Sequence, residues 1–174
     1  MRRTAQRGFT LLELAVVVCV VAVLVTLALE RLLRYAEVAE RSAMEQSVAA
    51  MRSALSLRFA ALYLKERPEA LGRLAEENPM DWLAERPPGY VGALRDPPLG
   101  ELERPAWYFD TGRKQIVYVP LRTRYLQPGP DGDPRIPFRV VVEFRATPEL
   151  GGLLQLHRLG IDPARPFHWD PMLP

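Results

Sequence analysis

Residues 9–29, FTLLELAVVVCVVAVLVTLAL, carry a single ionisable side chain, Glu13, and two threonines. At a helical rise of ~1.5 Å per residue, such a run is long enough to cross a hydrocarbon core ~30 Å thick. It reads as a membrane span, and the rest of the chain has to be arranged around it. A secretory signal would place its small-residue cleavage site after the apolar run. Here the basic leader MRRTAQRG ends in Gly8 immediately before the run begins. Cutting there would leave the apolar segment on the mature chain, with Phe9 as its first residue and Glu13 as its fifth. Arg2, Arg3 and Arg7 keep the leader cytoplasmic by the positive-inside bias, which puts the C-terminal domain on the outer face.

Arg7-Gly8-Phe9-Thr10-Leu11-Leu12-Glu13 resembles the prepilin motif of type IV pilins and type II secretion pseudopilins. The resemblance implies cleavage between Gly8 and Phe9 by a prepilin peptidase, followed by N-methylation of Phe9. A carboxylate inside lipid costs at least ~2.5–3.5 kcal/mol on insertion scales, so a residue such as Glu13 ordinarily has a partner and a function. The resemblance supplies that partner as the free amine of a neighbouring subunit, met as subunits leave the membrane for a helical filament. Snorkelling of Glu13 to the interface is the plainer alternative. Further partners implied are other pilin or pseudopilin subunits and an inner-membrane assembly platform. The implied location is the bacterial inner membrane, single-pass, and then a periplasmic pseudopilus or an extracellular pilus. Many filament-forming pilins have a proline where Glu30 stands here, and often a glycine in place of Ala22. Lacking both, the chain looks more like a minor subunit than the bulk building block.

The expected fold is α+β and pilin-like: a long N-terminal helix packed on a four-stranded antiparallel sheet. The expected divisions are a leader at 1–8, the transmembrane half of the helix at 9–29 and its amphipathic half at 30–67. A connecting loop region at 68–105 and the sheet with its C-terminal tail at 106–174 complete the chain. Residues 30–67 contain neither glycine nor proline, so nothing stops the helix begun in the membrane. Met44, Val48, Met51, Leu55, Phe59 and Leu62 recur at steps of three and four, one helical stripe that needs covering. Pro68 fits a break, and 69–77 a short helix. Prolines and glycines then crowd the connector, while Trp82, Leu83, Tyr90 and Leu94 suggest that it is pinned to the domain.

From Trp107 the period changes to two. Residues 107–109 and 115–119 flank a short loop and read as a hairpin. Phe138, Val140, Val142 and Phe144 alternate with Arg139, Val141, Glu143 and Arg145, which predicts a half-buried strand. Residues 153–159 predict a last strand. The proline-rich tail cannot continue the sheet centrally, and Phe167 and Trp169 are expected to lay it back on the domain.

Composition narrows the function. Removing the leader's three arginines leaves 20 basic against 21 acidic residues, so the mature chain has no global attraction to nucleic acid. Cys19, the single cysteine, lies inside the span and excludes an intramolecular disulfide; it reads as an apolar filler. His157 and His168 have no extracytoplasmic cysteine to join in a nucleophilic pair, and no P-loop, G-x-S-x-G or zinc-ligand spacing appears. No catalytic residue and no cofactor is therefore expected. Asp131 and Asp133 around Gly132 could contribute oxygens to calcium, although aspartate-glycine between prolines is ordinary turn chemistry. A tip-located minor pilin binding DNA in natural transformation, or acting as an adhesive module, is the alternative role. Its candidates are Arg122, Arg124, Arg135, Arg139 and Arg145, with Tyr125 to stack a base.

Overall fold

A computed structural model describes residues 10–65, 68–127, 129, 132–147 and 153–170. Helix α1 runs unbroken over Leu11–Leu64, 54 residues, or about 81 Å at the standard rise. Thr10 caps it: the backbone amide of Glu13 donates to Thr10 Oγ1 at 3.2 Å. Threonine three residues before glutamate at the mouth of an apolar run is the pattern of a capping box. The outer half of α1 behaves as the stripe predicts, with Met44, Val48, Met51, Leu55 and Leu62 buried and Phe59 half-buried. Pro68 does not simply end the long helix. It opens a second one, α2 (Pro68–Arg73), where a first-turn proline loses no hydrogen bond.

Five strands form the main sheet: β1 (Tyr90–Leu94), β2 (Ala106–Asp110), β3 (Gln115–Val119), β5 (Ile136–Thr147) and β6 (Leu153–Pro163), in the order β1-β2-β3-β5-β6. The expectation of four antiparallel strands is corrected by β1, which comes from within the 68–105 connector and pairs parallel to β2. Connector residues beyond β1 then cross behind the sheet. Leu94, Leu99 and Leu102 pack on Ala106, Tyr108, Val117 and Val119, so β2 is buried on both faces. A connector dense in proline and glycine hides this strand from a periodicity argument. Gly89 shows what the arrangement requires: it has φ +78°, and a Cβ there would fall 2.4 Å from the Pro105 carbonyl oxygen. Its own carbonyl accepts from the Trp107 amide at 2.8 Å.

The front face of the sheet covers the helix stripe. Trp107, Phe109, Ile116, Tyr118, Ile136, Phe138, Val140 and Ile161 join the α1 residues in one core. The hairpin of β2 and β3 pairs Ala106 with Val119 and Asp110 with Gln115. Its turn is fastened by Asp110, whose carboxylate accepts from the Gly112 and Arg113 amides. In β5 the predicted alternation holds through Val140, and a register shift after Glu143 leaves Phe144 and Arg145 exposed. Residues 148–152 lie outside the described residues.

The tail is more deeply involved than a surface strap. Ile161 is fully buried in β6, an edge strand that tolerates its terminal proline. Beyond it, β7 (His168–Trp169) pairs antiparallel with β4 (Leu126–Gln127), setting Leu126 opposite Trp169. Trp169 is buried against Tyr118, ring centroids 6.3 Å apart.

Candidate functional site

Among the described residues, nothing covers the apolar stretch of α1 from Leu11 to Leu33. Its large apolar residues from Leu11 to Leu33 are 45–85 % exposed, in a stretch about 34 Å long. Among the described residues, α1 is the one helix long and apolar enough to cross a membrane. An apolar helix of this length cannot stay bare in water without associating, because its burial elsewhere is worth roughly 25 cal/mol per Å². Glu13 sits exposed in its first turn, where a negative side chain interacts favourably with the helix dipole. Cys19, also exposed, lies on the same bare stretch. Gly8 and Phe9 lie outside the described residues.

Two acids that pattern reading missed control how this helix is carried by the domain. Glu37 and Glu40 are 2 % and 8 % exposed. Both fall on the buried stripe, at three- and four-residue steps below Met44. Glu40 Oε1 accepts from the Leu121 amide at 2.6 Å and the Tyr118 hydroxyl at 3.2 Å, and Oε2 meets the Arg122 guanidinium at 3.2 Å. Glu37 Oε1 accepts from the Tyr125 amide at 3.0 Å and from Trp169 Nε1 at 2.8 Å. The loop 120–125, the β4–β7 ribbon and the tail are thereby tied to α1 just where it leaves the domain. Arg41 adds a bond to the Trp169 carbonyl, and Arg52 donates twice to the Ile161 carbonyl. Burial, then the field of Glu40 and the hydrogen bond to it, push the Tyr118 phenol well above its usual pKa. The signal was present in the sequence as acids on an apolar stripe, where a charge survives only if paired and hydrogen-bonded.

The five candidate arginines are not brought together. Arg122 is committed to Glu40. Arg135 is enclosed by Asp96 at 2.7 Å, Asp133 at 3.1 Å and the Tyr108 hydroxyl. Burial works against its charge, but the bonds to Tyr108 and Asp96 and the field around them outweigh it and raise its pKa. Arg139 is exposed on β5 opposite Asp162. Arg145 follows Phe144, whose ring lies 6.4 Å from that of Phe59. Phe59 is 19 residues beyond Glu40 on α1, about 28 Å along the axis, so Arg145 and Arg122 stand at opposite ends of the domain. Arg124 stands over an aromatic ring, its guanidinium 5.8 Å from the centre of Tyr125.

Asp131 lies outside the described residues. Asp133 is engaged by the Arg135 amide and side chain, and Arg165 Nη2 donates to its carbonyl. Among the described residues, no three histidine, cysteine or acidic side chains gather in a metal-binding cluster. His157 and His168 are exposed, on β6 and β7 respectively. A groove of about 890 Å³ lies between α1 and the segment after α2. Its polar groups are already spent, Glu77 on Trp82 Nε1 at 2.9 Å and on Arg58 at 3.5 Å.

Comparison with known proteins yields one match. Residues 3–29 fit the family model described as the prokaryotic N-terminal methylation motif. No curated protein and no solved structure matches the chain.

Proposed function

We propose, from the premise that residues 3–29 carry the N-terminal methylation motif typical of type IV pilins and pseudopilins, that the chain is a structural subunit of a pilus or pseudopilus. A motif of this kind implies processing by a prepilin peptidase, membrane anchoring by the apolar helix and assembly through it. The finer reading is a minor subunit, cut after Gly8, methylated on Phe9 and carried single-pass in the inner membrane with its sheet domain outside the cytoplasm.

The observation that carries the reading is the bare apolar half of α1, continuous with a half that is the spine of a folded domain. Such a helix can exchange lipid for a bundle of its own kind, since both surroundings are apolar. Glu13 is the exception, and it would be neutralised in the bundle by the amine of a neighbouring Phe9. The role proposed is anchoring and packing, and no reaction is assigned to the chain. The scattered arginines lend no geometric support to DNA capture at a filament tip.

The test is mass spectrometry of the mature N-terminus together with filament incorporation of Glu13→Ala. A chain beginning with methylated Phe9, whose Glu13→Ala variant is still processed but fails to enter filaments, is the expected result. An intact leader, or normal incorporation of the variant, would refute it.

A further inference from the structure

Where α1 leaves the apolar stretch it meets a cluster of cations. Arg31 and Arg34 lie two and five residues beyond Leu29, about 3 and 7.5 Å further along the axis. The headgroup layer on each side of a bilayer is about 5–7.5 Å deep, so these two side chains start within it or at its outer edge. Leu32, Leu33 and Tyr35 beside them are exposed, and an exposed tyrosine at this level fits the aromatic belt of membrane interfaces.

The domain brings a third cation to the same place. Loop 120–125 is fastened to α1 by Glu37 and Glu40, and this fixes Tyr125 against the helix. The guanidinium carbons of Arg34 and Arg124 each stand 5.8 Å from the centre of the Tyr125 ring. A cavity of about 180 Å³ opens there, lined by Leu33, Arg34, Arg122, Thr123, Arg124 and Tyr125, with the buried Glu37 on its inner wall, its carboxylate already accepting from the Tyr125 amide and Trp169 Nε1. The charge of Arg122 is answered by Glu40. Among the described residues, Arg31, Arg34 and Arg124 have no carboxylate within 4.0 Å, and Glu30, next to Arg31, forms no ion pair with them. Two like charges held round one ring, with a third a turn below, make a field that an anion relieves. Guanidinium matches phosphate with paired, charge-assisted hydrogen bonds.

We propose that Arg34 and Arg124, gathered round Tyr125 with Arg31 on the turn below, bind the phosphate of phospholipid headgroups and hold the domain down on the bilayer. The inference rests on the reading of residues 9–29 as a membrane span. Nucleic acid offers the same phosphate chemistry, but at this level a nucleic acid would lie against headgroup phosphates that repel it. The cluster would then be released as the subunit is drawn out of the membrane, which makes the bound lipid a restraint on extraction.

The test uses the full chain, carbon-labelled at the arginine guanidinium, in phosphatidylglycerol vesicles, with carbon–phosphorus recoupling read by solid-state NMR. A guanidinium bonded to phosphate places its carbon roughly 4 Å from phosphorus. The expected result is a strong dephasing that loses about two arginines' worth of intensity in the double variant Arg34→Gln/Arg124→Gln and is unchanged in Arg139→Gln. Both substituted side chains are exposed, and circular dichroism checks that the variants fold. A chain that resists alkaline carbonate extraction yet shows no such loss overturns the proposal alone. A chain that carbonate releases removes the span reading and the proposal together. Equal dephasing from inorganic phosphate in vesicles of phosphate-free glycolipid, or from added DNA in place of lipid, overturns the lipid assignment.

Discussion

Replacing Glu40 by alanine should loosen the domain from its helix, and the structure sets the size of the effect. Three donors lose their acceptor: the buried Tyr118 hydroxyl and the Leu121 and Arg122 amides. An unsatisfied buried donor costs about 1–3 kcal/mol. The hydroxyl counts in full, because its surroundings exclude water; the two amides belong to a surface loop and count at about 1 kcal/mol each. The ion pair adds little, since the Arg122 side chain is 39 % exposed and screened. The sum is about 3–5 kcal/mol, in the range for breaking a buried pair by removing one partner. For a chain of this size that corresponds to a fall in Tm of roughly 6–20 °C. The assay is thermal unfolding of the full chain in detergent, followed by near-ultraviolet circular dichroism, with amide hydrogen exchange at Leu121 and Arg122. Glu45→Ala, which removes only an exposed pair with Arg41, is the control and should shift stability by under ~0.5 kcal/mol. If Glu40→Ala melts with the parent and both amides stay protected, the carboxylate is not what holds the loop.

Alkali should attack the same region. The Tyr118 phenol ordinarily titrates near pH ~10 and is held above that in the folded chain. The unfolded state therefore releases a proton that the folded state keeps, and stability falls as pH rises beyond ~10; Tyr118 phenolate absorbance should appear only together with unfolding. Met51→Ala, at a fully buried position between helix and sheet, should lower stability by about 2–5 kcal/mol in denaturant titration. Gly89→Ala combines a positive φ with a clash on the Pro105 carbonyl and should cost about 1–3 kcal/mol, read as lost amide protection in β1 with β5 and β6 little changed.

Much of this protein was legible before any folding. The apolar run, the glycine before it and the acid at its fifth place specify a membrane-anchored helix with a processing motif, because lipid demands a satisfied backbone and excludes nearly every charge. The stripe from Met44 to Leu62 announced a covered face, and the alternation after Trp107 announced the sheet that covers it. Strand β1 was not legible, since a five-residue strand among prolines has too little pattern to separate from a loop. Nor were the roles of Glu37 and Glu40, because what makes a buried acid tolerable is the set of donors around it. Those donors come from residues 118–125 and Trp169, about 80 to 130 positions away in the chain. Local periodicity fixes which face a residue occupies; only the closed fold decides which distant amide, hydroxyl or ring nitrogen it meets there. The same closure places Arg124 beside Arg34, a proximity that no spacing along the chain records.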